Sequence, residues 1–227
     1  MDMLRGSEIA DAGLTDWVKL AQGLHARFRT GSFAEAARFV TAVGEAGDEV
    51  GHHPRVRIGS GFVDLELVTD DAIYRADDGT EYVVEWPTQQ DVDLARRITD
   101  VAAEHGLAAD PAGVAEVELG LEVADSAAAA AVWAALLTGD AASVGRGSPG
   151  DEVRDGSQRV PNLWFDDPRA DNGGQRWHVE VYVSAEAREE RLAAALAAGA
   201  TVVDDSQAPG LTVIADQEGN RGVICVA

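Results

Sequence analysis

The second half of the chain contains a weak internal repeat with an offset of 60 residues, and this repeat constrains the fold more than any other feature. Residues 117–123 correspond to residues 177–183, and both segments are predicted strands. An alanine-rich predicted helix follows each strand, and a short apolar segment comes later in each copy. The remaining pairs are 126–137 with 185–198, which end at Gly139 and Gly199, and 162–165 with 222–225. Two such copies bury one sheet face each and leave a cleft between them, which predicts paired βαβββ modules.

The first half has the signals of a separate α+β domain. Ser32 begins a capping-box pattern, and the helical spacing of apolar residues after it is expected to end near Gly47. Residues 62–68 alternate after their first two positions and are a predicted half-buried strand. Thr88 opens a second predicted helix. These signals predict an α+β fold in which an antiparallel sheet carries helices on one face.

A short segment with proline and glycine separates the two halves. Residues 107–113 show no periodicity and are predicted to be a linker. We therefore expect one domain over residues 1–107 and a second domain over residues 114–227. A chain of 227 residues is long enough for two small domains that each bury a core.

Both halves carry a strong negative charge, which limits the possible partners. The formal net charge is −22 at pH 7. Residues 1–107 hold 10 Lys and Arg against 20 Asp and Glu, and residues 108–227 hold 8 against 20, so the balances are −10 and −12. An acidic surface repels nucleic-acid phosphates and anionic membranes. We therefore expect neither as a partner, and instead a small ligand that is neutral or only locally charged.

The apolar segments favour a soluble cytoplasmic protein. The sequence does not begin with a basic flank followed by an apolar core, so no signal peptide is predicted. The longest apolar run, residues 127–137, is too short to span a bilayer. The single cysteine, Cys225, excludes an intrachain disulfide and is expected to be a small core residue.

A His-His-Pro tripeptide at residues 52–54 is the strongest chemical signal, in a chain with only five histidines. Histidine is the side chain that both gives and takes a proton near neutral pH. Two adjacent imidazoles at the start of a strand suit the removal of water from a substrate, because one protonates the leaving hydroxyl while the other accepts a proton from the neighbouring atom. On the tripeptide alone, two solvated histidines at a polar strand edge are the favoured interpretation.

The surroundings of this tripeptide resemble the pterin-4a-carbinolamine dehydratase family, also called 4a-hydroxytetrahydrobiopterin dehydratase. The resemblance covers roughly residues 4–104 and joins an upstream helix, an acidic residue four positions before the first histidine, an alternating strand and a second helix. The matching positions are Trp17, Phe33, Ala36, Phe39, Val40, Asp48, His52, His53, Pro54, Thr69, Asp91, Leu94 and Ala95.

The sequence also departs from the family pattern. The family usually has a third histidine directly after the threonine that ends the strand, and here Asp70 follows Thr69. About ten inserted residues follow, from Ala72 to about Glu85, and the family's aromatic residue after His-His-Pro is missing near Ser60. His25 and His105 lie too far away in sequence to nominate as replacements. Asp70 serves as a base or as the partner of a histidinium, and as an acid near neutral pH only where burial raises its pKa.

The resemblance implies a hydro-lyase of tetrahydrobiopterin metabolism that converts 4a-hydroxytetrahydropterin to the quinonoid dihydropterin. It implies a pterin-like small-molecule substrate, no metal or organic cofactor, and a homodimer or higher homo-oligomer. The candidate catalytic residues are His52, His53 and Asp70, and the candidate substrate-binding residues are Asp48, Pro54, Thr69 and Trp17. The alternative is a catalytically impaired protein that binds small molecules in a dehydratase-like cleft of the first half and in the cleft of the repeat in the second half.

The repeat in the second half, with the turn at residues 215–220, resembles the glyoxalase-like (vicinal oxygen chelate) family over about residues 114–227. Metal-dependent members place a ligand on the first and last strand of each module. Glu118 and His178 have suitable side chains on the first strands, but Leu163 and Val223 on the last strands cannot bind a metal. We therefore predict no metal site and keep Glu118 and His178 only as weak candidates. A metal-dependent enzyme in this half is the third hypothesis.

Overall fold

The computed structural model describes residues 1–145, 151–157, 159–168 and 174–226, which form two compact units, Met1–Val114 and Ala115–Ala227. Both units mix helices and strands, so the predicted α+β class is confirmed. In the described part of the chain, no helix is long and apolar enough to cross a membrane.

The first unit is an antiparallel sheet with helices on one face, as predicted. In chain order its elements are α1 Gly6–Asp11, β1 Val18–Leu20, β2 Gly23–Arg29, α2 Phe33–Val50, β3 Arg55–Gly59, β4 Phe62–Leu67, β5 Thr69–Arg75, β6 Glu81–Trp86, α3 Gln89–Glu104 and β7 Ala108–Ala109. The sheet order is β1-β2-β4-β3, and β7 pairs with β2. Alternate residues of β2 and β4, such as Phe28 and Leu65, are buried against Phe39 of α2 and Ile98 of α3. This alternation leaves the opposite sheet face polar.

Helix α2 ends just before the His-His-Pro tripeptide. Ser32 caps its first turn by accepting a hydrogen bond from the Glu35 amide. The helix continues to Val50, almost one turn beyond the predicted end, and stops at Gly51 in the left-handed conformation. Gly47 lies inside the helix because the returning chain packs against it. A Cβ at Gly47 would fall 2.6 Å from His53 Cδ2 and 2.7 Å from the His52 carbonyl oxygen.

The insertion relative to the family pattern forms a two-stranded sheet, β5 and β6. Thr69 pairs with Trp86 at its base, and the register shifts between Thr69 and Ala72. The N-terminal residue Asp2 bridges to Ile73 of this hairpin, and Lys19 lies 3.6 Å over the ring of Trp86. The insertion is therefore an ordered hairpin packed on the first unit.

Residues 108–113 are part of the first unit and do not form an unstructured linker. Ala108–Ala109 pairs with Phe28 and Arg29 of β2, and residues 111–113 form a single 3₁₀ turn. Asp110 Oδ2 forms an ion pair with Arg29 Nη2 at 2.7 Å. Strand pairing satisfies the backbone groups of this segment without requiring a periodic pattern of apolar side chains. The pairing is therefore not visible in the sequence.

The second unit consists of paired βαβββ modules, as the repeat predicts. Its elements are β8 Ala115–Glu122, α4 Ser126–Thr138, β9 Glu152–Val153, β10 Leu163–Asp166, β11 Trp177–Val183, α5 Ala185–Ala197, β12 Thr201–Asp204, β13 Leu211–Ala215 and β14 Arg221–Val226. The sheet order is β12-β13-β14-β11-β8-β10-β9. In the first module, an isolated bridge between Val144 and Val153 takes the place of a full strand. Strands β8 and β11 join the two modules through antiparallel pairing.

The strand register corrects one detail of the predicted repeat. Leu163 of β10 pairs with Leu119, whereas Gly222 of β14 pairs with Val179, the repeat equivalent of Leu119. Leu163 therefore corresponds to Gly222 and not to Val223, so the last strands are offset by one residue less than the first strands. A shift of one residue exchanges the two faces of a strand, and short apolar segments do not specify that choice.

The buried side chain of His25 makes the stability of the first unit depend on pH. Its side chain is 7% exposed in β2 beside Glu66, and burial lowers its pKa from 6.5 to about 4. Because the unfolded chain binds the proton more tightly, the free energy of unfolding falls as pH drops from about 6.5 towards 4. The expected His25 contribution to this fall is up to about 3 kcal/mol.

Urea denaturation at several pH values measures this dependence. The difference between wild type and His25→Gln should shrink by that amount on acidification, whereas the exposed control His105→Gln should track the wild type. Parallel curves for wild type and His25→Gln would contradict the assignment.

Candidate active site

The His52 ring is held by a buried carboxylate. His52 Nε2 lies 2.7 Å from Asp91 Oδ1, and the Asp91 side chain is fully buried. The second oxygen, Oδ2, accepts hydrogen bonds from Thr69 Oγ1 at 2.6 Å and from the Thr88 amide at 2.7 Å and hydroxyl at 3.0 Å. An ionised carboxylate only accepts, so His52 Nε2 carries the hydrogen and Nδ1 is left to accept a proton.

The same contacts control the charge of Asp91. Burial by itself would raise the pKa of this carboxyl, but the hydrogen bonds from His52, Thr69 and Thr88 outweigh burial and lower the pKa. Asp91 is therefore negative at neutral pH. This fixed negative charge lies against His52 Nε2 and holds the ring through a charge-assisted hydrogen bond.

The second histidine is in a more open position. His53 Nε2 lies 2.9 Å from Asp48 Oδ1, and the exposed fractions of the two side chains are 52% and 79%. Solvent screens this ion pair, so it contributes little to stability. It nevertheless places a carboxylate beside the ring.

The third family position is occupied by an exposed carboxylate. Asp70 accepts a hydrogen bond from Arg55 Nη2 at 3.2 Å, and its side chain is 76% exposed. Arg55 also contacts Glu66 at 3.2 Å and Glu85 at 3.6 Å. Asp70 thus lacks the burial that would allow a carboxyl to act as an acid near neutral pH.

An open cleft of about 440 Å³ connects these groups within the first unit. Its volume falls in the range of roughly 300–1,000 Å³ that is usual for small-molecule sites. The lining combines both histidines of the motif with the third-position carboxylate and polar residues from β3, β4 and α3. The lining residues are Met1, Gly51, His52, His53, Arg55, Glu66, Val68, Thr69, Asp70, Asp71 and Gln90.

The structure brings together four of the seven nominated residues. His52, His53, Thr69 and Asp70 line the cleft, while Asp48 and Pro54 flank it. Trp17 lies elsewhere. It is buried in the core, packs edge-on against Phe28 with ring centroids 6.5 Å apart, and donates a hydrogen bond to Thr99 Oγ1 at 3.2 Å. Trp17 is a core residue just before β1 and does not line the cleft, because its ring packs into the hydrophobic core of the first unit.

Three site residues escaped nomination. In the sequence, Asp91 is only one of the positions that match the family pattern, because a capping role at the third residue of α3 already explains an acidic side chain there. Arg55 and Glu66 are ordinary charged residues in strand patterns, and only the register of β3 on β4 places them opposite each other. Their shared feature is a charged side chain at the sheet end next to His-His-Pro, a signal that requires the strand pairing to be known.

The weak metal candidates of the second unit do not form a metal centre in the described residues, where no group of three His, Cys, Asp or Glu side chains is placed to hold an ion. Glu118 pairs with Glu180 across β8 and β11, and it accepts a hydrogen bond from Asn162 at 3.3 Å. His178 stacks edge-on with Trp164 at 4.8 Å and lies over Gly120, where a Cβ would fall 2.1 Å from its Nε2.

Asp91→Asn should weaken the network that holds His52. The amide cannot accept as many hydrogen bonds as the carboxylate, so buried donors lose partners and the free energy of unfolding should fall by about 1–3 kcal/mol. In wild type this stabilisation is present above the ordinary carboxyl pKa of 3.8 and is lost in stronger acid, as pH falls through the lowered pKa of Asp91. Urea denaturation at pH 7 measures the change. Asp93→Asn on the exposed side of α3 is the control, and an equal loss in both variants would contradict the role of Asp91.

Comparisons with known proteins match both units. Residues 3–101 match the family described as pterin 4 alpha carbinolamine dehydratase, and residues 118–226 match the glyoxalase-like domain. A Streptomyces coelicolor protein named "Putative pterin-4-alpha-carbinolamine dehydratase" is 35% identical over 95 residues, which are 42% of this chain and 83% of that protein.

A crystal structure described as a transcriptional coactivator/pterin dehydratase from Brucella melitensis is similar at 22% identity and a TM-score of 0.36, over 44% of this chain and 99% of that chain. The sequence matches of the two units establish that the chain belongs to the pterin-4a-carbinolamine dehydratase family through its first unit, and that its second unit is a glyoxalase-like domain.

Proposed function

We propose that the first unit dehydrates a 4a-hydroxytetrahydropterin to the quinonoid dihydropterin. The observation that carries this proposal is the placement of His52 and His53 on one cleft, with the His52 ring held by the buried Asp91 carboxylate. Family membership supports a dehydratase-like reaction. The specific substrate and the roles of the residues are the proposal.

The two histidines have different environments, and these suit different roles. His52 donates Nε2–H to Asp91 and so presents a basic Nδ1, which accepts the proton from N5 of the substrate. His53 is the more exposed ring, hydrogen-bonded to the Asp48 carboxylate, and it protonates the 4a-hydroxyl. The C4a–O and N5–H bonds break, a C4a=N5 double bond forms, and water leaves. No electrons are exchanged with another molecule, so the step uses no redox cofactor.

The exposed Asp70 bears on the rate of this reaction. A third imidazole would add an acid–base group, whereas Asp70 is ion-paired with Arg55 and largely in solvent. Loss of one such group costs about 10²–10⁴-fold in rate. The same observation favours the second candidate function, a catalytically impaired protein that binds a pterin-like molecule. Cytoplasmic location and homo-oligomer formation remain predictions.

His52→Ala should lower the dehydration rate by about 10²–10⁴-fold, because it removes the base. Stopped-flow absorbance on freshly generated carbinolamine measures the rate, and fluorescence titration measures pterin affinity. His105→Ala, far from the cleft in sequence, is the control and should behave as wild type. Equal rates in wild type and His52→Ala, with intact pterin binding, would support the binding function and overturn catalysis by His52.

Asp70→His should raise the dehydration rate by up to about 10²-fold if the missing imidazole limits the reaction. The change restores the family's usual residue at the exposed third position and removes a carboxylate from Arg55. Asp71→His places an imidazole at the neighbouring exposed residue and should not raise the rate. A rate for Asp70→His at or below that of wild type would show that the third imidazole is not what limits this site.

A further inference from the structure

A cation–carboxylate pair with unused hydrogen-bonding capacity lies in the cleft. Arg55 of β3 and Glu66 of β4 are opposite each other in the sheet, and Arg55 Nη1 donates to Glu66 Oε1 at 3.2 Å. Both side chains line the cleft and are about one-quarter exposed. Among the described residues, Glu66 Oε2 accepts no hydrogen bond. Arg55 follows His53 by two residues, so the pair lies next to the imidazoles.

Negatively charged side chains outnumber the positive charge around Arg55. Arg55 is shared by Glu66, Asp70 and Glu85, which places three carboxylates around one guanidinium. Burial raises the pKa of Glu66 more than the Arg55 charge lowers it. Glu66 is a half-buried carboxylate with few hydrogen-bond donors around it in the described part of the chain. A ligand that brings additional N–H donors into the cleft would stabilise its ionised form.

The Glu66 side chain lies against a glycine of the neighbouring strand. Gly23 stands beside it on β2, and a Cβ at Gly23 would fall 2.9 Å from Glu66 Cγ and 3.1 Å from both Glu66 Oε1 and His25 Nε2. The His25 ring is buried, and its Nε2 has no hydrogen-bond partner among the described residues. The absence of a side chain at Gly23 therefore leaves the space beside β2 that Glu66 occupies.

We propose that Glu66, supported by Arg55, binds the 2-amino-4-oxopyrimidine edge of the ligand and so selects pterins over pteridines without the 2-amino group. That edge offers two adjacent donors, N3–H and the 2-amino group, beside the acceptor O4. The Glu66 carboxylate accepts from the two donors and the Arg55 guanidinium donates to O4, as in bidentate recognition. This inference rests on the proposed function of the cleft, and it assigns Glu66 to specificity, while the proton transfers remain with the histidines.

The full chain should be titrated with pterin and with lumazine, which carries oxygen in place of the 2-amino group. Wild type should prefer pterin by about 10–100-fold, since a site built to pair with a donor is left unsatisfied by an analogue that lacks it. Glu66→Gln should reduce this preference to near unity. In the dehydration assay, the same variant should raise KM with kcat little changed, whereas a general-acid role would lower kcat.

Asp64→Asn is the matched control, because Asp64 lies two residues away on β4 in a similar ion pair with Arg27 at 2.6 Å and does not line the cleft. It should keep the preference for pterin. If Glu66→Gln fails to fold, Arg55→Gln replaces it and should also lose the preference. A wild type that binds neither pteridine overturns both the proposed function and this inference. A selective wild type with equally selective Glu66→Gln or Arg55→Gln overturns the inference alone.

Discussion

The buried carboxylate of Asp91 is the interaction on which the candidate site depends. It joins the first turn of α3 at Thr88, the start of β5 at Thr69 and the ring of His52. A buried charge is tolerated only where hydrogen bonds replace its water, and four donors from three parts of the chain do so here. The same bonds that satisfy this carboxylate set the hydrogen on His52 and its orientation. Asp91 therefore contributes to the stability of the fold and also orients the His52 ring.

The changes relative to the family pattern are concentrated around Arg55. Asp70 replaces an imidazole, the inserted hairpin brings Glu85, and Glu66 comes from the neighbouring strand. The Arg55 guanidinium offsets part of the negative charge of these three carboxylates, while the charge of Asp70 still adds to the raised pKa of Glu66. The cleft thus has the two histidines, to which we assign the proton transfers, beside a charged side suited to a polar ligand edge.

In the glyoxalase-like unit, the two copies of the repeat form one continuous sheet. Strands β8 and β11 pair antiparallel, so equivalent residues of the two modules approach each other at the centre of the sheet. Leu121, Val153 and Leu163 pack against the small side chains of α4, where Ala134 is fully buried. Close approach of helix and sheet thus accounts for Ala130 and Ala134, the buried residues of α4.

The sequence by itself determined the elements that rest on local rules. The capping patterns at Ser32 and Thr88, the alternation in residues 62–68 and the repeated strand–helix–strands unit lead to the α+β architecture, and the motif around His52 and His53 leads to the family. These signals are visible because hydrophobic periodicity and capping act between residues that are close in the chain.

Only the tertiary structure decided how distant charges meet. It placed Trp17 in the core, paired Arg55 with Glu66 through strand register, shifted the last repeat strands by one residue and brought Asp91 to His52 across 39 positions of sequence. Hydrogen bonds and ion pairs between remote segments leave no local periodicity, because they depend on distances and burial that exist only after the chain has folded.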